Sequence, residues 1–153
     1  MGYVICDLDG TLCDHTHRRH LSHLDFDQYN GMLHLDHPRK GIVALLAAME
    51  GDGHYIILMT GRPEQYREAT EDWLWRHTGL EFEHRGLHMR PTGNMDGDVT
   101  LKMGIFAALP NNVKDNVLFV LEDRDCVVKM WREIGLLCLQ VENFEVTKKE
   151  AVL

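Results

Sequence analysis

Short apolar runs alternate with longer segments of helical periodicity along the chain. The apolar runs predict strands, which lie at residues 3–8, 54–60, 116–123 and 137–141, with LHMR at 87–90 as a shorter candidate. The periodic segments predict helices, which lie at about 39–50, 64–77, 100–109 and 126–134. Strands that alternate with helices favour an α/β fold, in which helices flank a parallel sheet in three layers.

The segment between the first strand and the first long helix, residues 12–38, is polar and rich in histidine. A short helix is predicted near 21–33. The segment's length of about 27 residues is near the lower limit for a separate domain, so we expect a short flap and little or no cap domain. Residues 1–153 then form a single domain, and the tail from Glu142 is predicted to be a loosely held terminus.

Composition narrows the class of protein. Apolar residues make up 44% and charged residues 26% of the chain, as in ordinary globular domains. The net charge of −8 argues against a broad nucleic-acid surface, although a local phosphate site is compatible with it. Without a membrane-length apolar run or a signal-like N-terminus, we expect a soluble cytoplasmic protein with no membrane partner. The four cysteines form no CxxC pair, which favours buried thiols over disulfides.

Two carboxylates end the first strand, where the apolar run VIC leads into Asp7 and Asp9. Side chains two residues apart on a strand point the same way, and converging carboxylates repel unless a cation separates them or a proton is shared. Thr60, Glu122 and Asp123 end other predicted strands. Because ligands of parallel α/β sheets bind at the carboxyl ends of the strands, these side chains predict where the site lies.

These groups suit phosphoryl transfer through a covalent intermediate. Asp7 can attack phosphorus as a nucleophile, and Asp9 can protonate the leaving oxygen and then activate water. Thr60 can hold phosphate oxygens, and Lys102 can neutralise charge on the nucleophile and the phosphoryl group. Asp123 and Asp7 together offer the oxygen ligands that Mg²⁺ prefers.

The same residues carry a resemblance to a known family. DLDGT at 7–11, Thr60, Lys102 and EDRD at 122–125 resemble, in order and spacing, the four motifs of haloacid-dehalogenase-type phosphatases. The resemblance covers nearly the whole chain. It implies the Rossmann-like fold of that family and a reaction that passes through an aspartyl-phosphate.

By this resemblance Asp7 is the nucleophile and Asp9 the general acid and base, and Mg²⁺ is held by Asp7, the backbone carbonyl of Asp9, and Asp123. Stretches such as DGTLCDHTHRR, DGDVTLKMGIF and VVKMWREIG show a narrower resemblance to phosphatase domains of bacteriophage polynucleotide kinase-phosphatases. Those domains remove 3′-phosphates from nucleic-acid ends during repair. The narrower match implies four contacts to the substrate phosphate, which are Thr11, Arg18, Gly61 and Arg62. It also implies two supporting acids, Asp98 and Glu122.

The chain departs from the narrower pattern in three respects. Thr60 stands where the phage enzymes carry the other hydroxyl residue, and Glu122 stands where an aspartate is expected. No GxxxxGK[ST] phosphate loop occurs, so a 5′-kinase activity is not expected from this chain. The phage resemblance predicts that the protein acts in a bacterial or phage-infected cell. It is compatible with a separate kinase or ligase as partner, and with self-association.

Several alternatives stay open. The same chemistry could act on a free nucleotide or another small metabolite, which the acidic net charge favours, or the fold could serve as a non-catalytic binding module. The sequence does not distinguish DNA from RNA. Asp98 could act as a helix N-cap. Four histidines of the 12–38 segment could bind zinc, but a basic, pH-sensitive rim is favoured; they are His15, His17, His20 and His23.

Overall fold

The computed structural model describes residues 1–80 and 86–142, in which strands alternate with helices as predicted. The strands are β1 (Tyr3–Cys6), β2 (Cys13–Asp14), β3 (His37–Pro38), β4 (Tyr55–Pro63), β5 (Leu87–Arg90), β6 (Val117–Glu122) and β7 (Cys138–Gln140). The helices are α1 (Thr16–Arg19), α2 (Phe26–Gly31), α3 (Lys40–Gly51), α4 (Arg67–Thr78), α5 (Asp98–Ala108), α6 (Asn111–Lys114) and α7 (Asp125–Glu133).

The central sheet has five strands in the order β5-β4-β1-β6-β7, and each neighbouring pair is parallel. The chain passes from β1 outward to β4 and β5, and then returns to the other side of β1 for β6 and β7. The strand order therefore reverses beside β1, which is where ligands bind in doubly wound sheets. The predicted α/β fold with a parallel sheet is confirmed.

Helices cover both faces of this sheet, and each face has its own apolar core. Val4 and Cys6 of β1 pack in one core with Trp73 of α4. Ile5 lies between them in sequence and packs in the other core with Trp131 of α7. Alternate side chains of a strand point to opposite faces, so the uninterrupted apolar run of β1 fits a strand buried on both sides.

Two predicted elements differ from the observed ones. The helix predicted at 21–33 is wrong as a continuous element, because α2 is shorter and is followed by a 3₁₀ turn at Leu33–Leu35. The strand predicted to close at Gly61 continues as β4 to Pro63, which pairs with Arg90 after an irregularity in register. A 3₁₀ turn at Glu64–Tyr66 then precedes α4, where one helix was expected.

Residues 12–38, called the insert below, join β1 to α3. The antiparallel pair of β2 and β3 closes its base, and α1 and α2 lie between them. The indole Nε1 of Trp73 donates to the backbone oxygen of Asp36 at 2.9 Å, which ties the insert to α4.

All four cysteines are free thiols, and Cys126 is exposed while the other three are buried as predicted. Among the residues that the structure describes, no helix has both the length and the apolarity needed to cross a bilayer. The predicted loose terminus begins at Glu142, which is instead held by an ion pair with Arg39, and the rest of it lies outside the described residues.

Candidate active site

Side chains from separate elements meet at the carboxyl edge of the sheet. Asp7 follows β1, Glu122 ends β6, and Lys102 reaches both from α5. The Lys102 Nζ donates to Asp7 Oδ1 at 2.7 Å and to Glu122 Oε2 at 2.6 Å. All three side chains are buried, so one ammonium group balances two carboxylates at the position predicted for the nucleophile.

The electrostatics of this trio follow from burial. Burial alone would lower the pKa of Lys102, but Asp7 and Glu122 raise that pKa well above its usual range, so the lysine is charged. Burial and the charge of Glu122 raise the pKa of Asp7 to about 7, against the opposing effect of Lys102. A second positive charge is needed before all the nearby acids can ionise together.

A divalent cation fits that need. Carboxylate oxygens of Asp7, Glu122 and Asp123 lie within 4.8 Å of one another. The Thr11 hydroxyl joins two of them, at 3.1 Å from Asp7 Oδ2 and 3.4 Å from Asp123 Oδ1. Burial and the charges of Asp7 and Glu122 raise the pKa of Asp123 to about 9. Buried, mutually repelling oxygen donors suit a hard cation such as Mg²⁺.

Gly10 leaves the space that Asp123 occupies. Its φ of +92° lies in the left-handed region that favours glycine, and a Cβ atom at this position would overlap the Asp123 carboxylate. The glycine of the DLDGT stretch therefore allows the loop after β1 to approach the loop after β6 closely.

The carboxylate of Asp9 faces a different pair of cations. Arg62 donates to it from Nη2 at 2.6 Å and from Nε at 3.1 Å, and Arg18 donates through Nη2. Burial alone would raise the pKa of Asp9, but Arg62 and Arg18 hold that pKa well below its usual range. The two strand-end aspartates thus share neither proton nor cation, because each has positive groups of its own.

Asp36 of the insert completes this second cluster, and sequence reasoning missed it. Its fully buried carboxylate accepts from Arg18 Nε at 2.7 Å, from Arg18 Nη2 at 2.6 Å and from Arg62 Nη2 at 2.9 Å. His17 Nε2 lies 2.9 Å from the same group. Nothing in the local sequence distinguishes Asp36 from a surface acid, because its partners are 18 and 26 residues away.

A cavity of about 440 Å³ opens over this edge of the sheet, with Asp7, Asp9, Arg62 and Lys102 among its lining residues. The insert supplies one wall, made of Ser22, His23, Phe26, Tyr29 and Asn30. The opposite wall consists of Arg90, Asn94, Met95, Asp96, Asp98 and Arg124. A cavity of this size can hold a small organic ligand, since such sites span about 300–1,000 Å³.

Asp98 organises the second wall. Its Oδ1 accepts from Arg90 Nη2 at 2.7 Å, and its Oδ2 accepts from Arg124 Nη1. Gly61 permits this approach, since a Cβ there would lie 3.0 Å from Asp98 Oδ1. The N-cap of α5 is Gly97, so the alternative of Asp98 as an N-cap is wrong.

Comparison with known proteins identifies the family. The family model for the phosphatase domain of polynucleotide kinase PNKP matches residues 2–145. The chain belongs to the family of polynucleotide kinase phosphatase domains. The resemblance to haloacid-dehalogenase-type phosphatases, carried by the motifs that meet at this edge, is thereby confirmed.

Individual relatives agree with this family assignment. A protein of Autographa californica nuclear polyhedrosis virus, provisionally named a bifunctional polynucleotide kinase/RNA ligase, is 31% identical over 137 residues, which cover 87% of this chain and 18% of that protein. Two structures of a Pnkp1/Rnl/Hen1 complex, one described as an RNA repair complex, match 92% of this chain. Their TM-scores are 0.76 and 0.77 at 33% and 32% identity, and the match covers 46% and 42% of those chains.

A class C acid phosphatase from Bacillus anthracis shares the fold alone, with a TM-score of 0.63 at 14% identity over 99% of this chain and 63% of that one. The chain spans less than a fifth of the viral relative and less than half of the Pnkp1 chains.

The residues expected to contact phosphate divide into two groups in this polynucleotide kinase phosphatase domain. Gly61 and Arg62 line the cavity. Thr11, Arg18 and Thr60 are fully buried and lie behind the cavity lining. The phosphate contacts expected of these three residues stay predictions, and in the structure each of them supports a neighbour of the cavity.

Thr60 and Arg18 each contact residues that line or support the cavity. The Thr60 hydroxyl accepts from the backbone N–H of Arg62 at 3.1 Å, which stabilises the irregular end of β4 that carries Arg62. The Arg18 guanidinium lies 4.2 Å from the ring centroid of Tyr29 and binds Asp9 and Asp36.

One histidine of the insert departs from the expected rim. His15 is buried, and burial lowers its pKa to about 4, so the rim prediction is wrong for this residue. His23 does line the cavity. Of the described His, Cys, Asp and Glu side chains, the groups close enough to hold a metal contain no histidine, which leaves the zinc alternative without structural support.

Proposed function

We propose that this protein is a Mg²⁺-dependent phosphomonoesterase that removes 3′-phosphates from the ends of DNA or RNA through an aspartyl-phosphate on Asp7. The observation that carries the proposal is the bridge from Lys102 to Asp7 and Glu122, beside Asp123 and under an open cavity. A nucleophilic carboxylate must approach an anionic phosphoryl group, so fixed positive charge at that oxygen is required.

The first half of the reaction forms a phosphoenzyme. An oxygen of Asp7 attacks phosphorus in line with the 3′-oxygen, and the P–O bond to that oxygen breaks. Asp9 delivers a proton to the leaving oxygen. Substrate phosphate at Arg62 gives this arginine a third anion beside Asp9 and Asp36 and weakens its hold on Asp9, which lets Asp9 take up the proton that it delivers.

The second half releases phosphate. Asp9, again ionised, accepts a proton from water, the resulting hydroxide oxygen attacks phosphorus, and the bond from phosphorus to Asp7 breaks. Mg²⁺ held by Asp7, Asp123 and the backbone carbonyl of Asp9 would supply charge neutralisation for the phosphoryl oxygens. Lys102 balances the Asp7 carboxylate that each turnover regenerates.

Nucleic-acid ends are the proposed substrate because the family and the viral relative are named for polynucleotide kinases, and one Pnkp1 structure is described as an RNA repair complex. The insert leaves the cavity open between two walls, so a chain end can enter. We propose a separate kinase or ligase as functional partner, in the cytoplasm of a bacterial or phage-infected cell.

The decisive experiment measures phosphate release from a 3′-phosphorylated oligonucleotide, its 5′-phosphorylated isomer and a 3′-mononucleotide, with Mg²⁺ and with a chelator. Asp7→Asn serves as the blank, and Asp72→Asn, which changes an exposed acid of α4, serves as the matched control. We expect Mg²⁺-dependent release from the 3′-phosphorylated oligonucleotide and none from the 5′ isomer.

Other results would redirect the proposal. Faster turnover of the mononucleotide than of the oligonucleotide would indicate a nucleotide phosphatase with the same mechanism. Release that survives Asp7→Asn would contradict the covalent mechanism, and no release from any substrate would favour a binding module.

A further inference from the structure

We propose that Arg124, positioned by Asp98 and Arg90, forms a second anion subsite that binds the internucleotide phosphodiester next to the terminal 3′-phosphate. The inference rests on the proposed function and specifies its substrate class: ends that carry a further phosphate on the 5′ side of the last nucleoside.

The first observation is the construction of the wall. Arg90 is fixed by four acceptors, since it donates to the backbone oxygens of Gly61 and Asp96 and to the side chains of Asn94 and Asp98. The side chain of Asp98 is 17% exposed and uses its second oxygen to bind Arg124. A rigid arginine therefore positions an acid, and the acid positions a second arginine that faces the cavity.

An arginine at the start of α7 is unfavourable for the helix itself. Arg124 is the N-cap of α7, and its side chain makes no capping hydrogen bond. N-cap positions favour Ser, Thr, Asp and Asn, and the positive end of a helix dipole disfavours a cation. Folding of α7 gives no reason for an arginine here, and such local conflicts mark functional positions.

The third observation is the distribution of charge between the two parts of the cavity. Lys102 and Arg62 serve Asp7 and Asp9, the groups assigned to the reacting phosphate. Arg124 lies on the wall, with 44% of its side chain exposed, and the proposed chemistry does not use it.

Asp98 does not oppose an anion at this wall, because one carboxylate is shared by two guanidinium groups. Asp96 also lines this wall, so its two arginines and two acids balance, and the wall as a whole does not repel an added anion. Arginine also suits phosphate recognition, because its planar guanidinium presents several parallel donors. An internucleotide phosphodiester and a free phosphate group both present phosphate oxygens and would contact the same donors. The test must therefore distinguish these two ligands.

The first part of the test compares two small substrates, a nucleoside 3′-phosphate and the corresponding nucleoside 3′,5′-bisphosphate. The bisphosphate adds one phosphate at the position of the internucleotide linkage. We expect kcat/KM to be about tenfold higher for the bisphosphate, the effect of one charge-assisted contact. Arg124→Gln is expected to reduce this ratio to near one, whereas Arg76→Gln, which disrupts an exposed Arg–Asp pair on α4, leaves the ratio unchanged.

The second part uses a 3′-phosphorylated oligonucleotide whose last internucleotide linkage is an uncharged methylphosphonate. The unmodified protein is expected to lose about tenfold in kcat/KM on this change, and the Arg124→Gln protein is expected to be insensitive to it. For the charged oligonucleotide, the slope of log kcat/KM against log salt becomes shallower by about 0.7 in Arg124→Gln, as for one lost single-strand phosphate contact.

Each result has a separate meaning. If 3′-phosphate is released but the bisphosphate and the methylphosphonate behave like their partners, the subsite is wrong and the proposed phosphatase stands. If the bisphosphate is favoured but the methylphosphonate has no effect, the wall binds a free terminal phosphate and the assignment to a phosphodiester is wrong. If no substrate releases phosphate, the proposed function fails and the subsite fails with it.

Discussion

Both carboxylate oxygens of Asp36 accept hydrogen bonds from Arg18, at 2.7 and 2.6 Å, in the interior of the protein. Asp36 also binds Arg62, so it holds both arginines that neutralise Asp9. We predict that Asp36→Asn lowers the free energy of unfolding by about 3 kcal/mol or more, because two buried guanidinium groups lose a charged partner. It should also reduce phosphatase kcat/KM, because Arg62 is no longer fixed.

Asp72→Asn is the matched control for Asp36→Asn. Asp72 pairs with Arg76 at 2.9 Å, but both side chains are at least half exposed. Exposed pairs contribute about 0–1 kcal/mol, so urea unfolding should detect little change. If the two variants were equally stable and equally active, Asp36 would have no positioning role.

Two variants at Lys102 are predicted to distinguish its role in catalysis from its role in folding. Lys102→Met should reduce kcat by about 10²–10³-fold, the effect of losing one preorganised charge at the reacting group. The double variant Lys102→Met/Glu122→Gln removes one buried charge of each sign. It should be more stable than Lys102→Met in urea unfolding yet no more active, and recovery of activity would contradict a catalytic role for the lysine.

Stability without metal is predicted to fall as pH rises. The folded-state pKa values of Asp7 and Asp123, about 7 and about 9, exceed that of an unfolded aspartate, about 3.9, so between pH 5 and 9 the folded state binds more protons than the unfolded chain. The free energy of unfolding measured with a chelator should therefore decrease across this range. The depressed pKa of Asp9 places its titration below the range.

The same shifts predict the effect of Mg²⁺. Because binding requires ionised carboxylates, Mg²⁺ should raise the thermal midpoint more at pH 9 than at pH 6. Thermal scans with Mg²⁺ and with a chelator at both pH values test this expectation. Asp123→Asn should flatten the pH dependence, and an unchanged slope in that variant would show that another group is responsible.

Gly10→Ala and Gly53→Ala form a pair that isolates the approach of Asp123. Both glycines have positive φ, +92° and +83°, but only a Cβ on Gly10 meets Asp123, while nothing lies within 4 Å of that position on Gly53. Gly53→Ala should cost about 1–2 kcal/mol through the backbone alone and leave activity unchanged. Gly10→Ala should cost more and weaken Mg²⁺ binding at least tenfold, as measured by titration calorimetry.

The position of the site could be predicted from the sequence because it follows from strand ends. Asp7, Glu122 and Asp123 come directly after apolar runs, and parallel strands bring their carboxyl ends to one edge. The same reasoning could not predict the continuation of β4 through Gly61. Glycine normally punctuates a strand, whereas here it allows Asp98 to approach the backbone closely.

The cluster around Asp9 could not be predicted, because its geometry depends on how the insert folds back. Arg18 carried no signal that it would be buried, and an arginine in a polar segment is usually exposed. Likewise the burial of His15 depends on tertiary packing, which includes an edge contact with Tyr29. Composition indicates which side chains are present in the insert but not which of them turn inward.

The bond from Trp73 to the Asp36 backbone has a kinetic consequence. It fastens Asp36 of the insert to α4, and Asp36 also binds Arg62 of β4, while Arg18 at the other end of the insert binds Asp9. A wall held at both points does not swing, so substrate should enter a cleft whose width is already set. Turnover should then be insensitive to solvent viscosity at saturating substrate, unlike in enzymes whose rate is limited by lid opening.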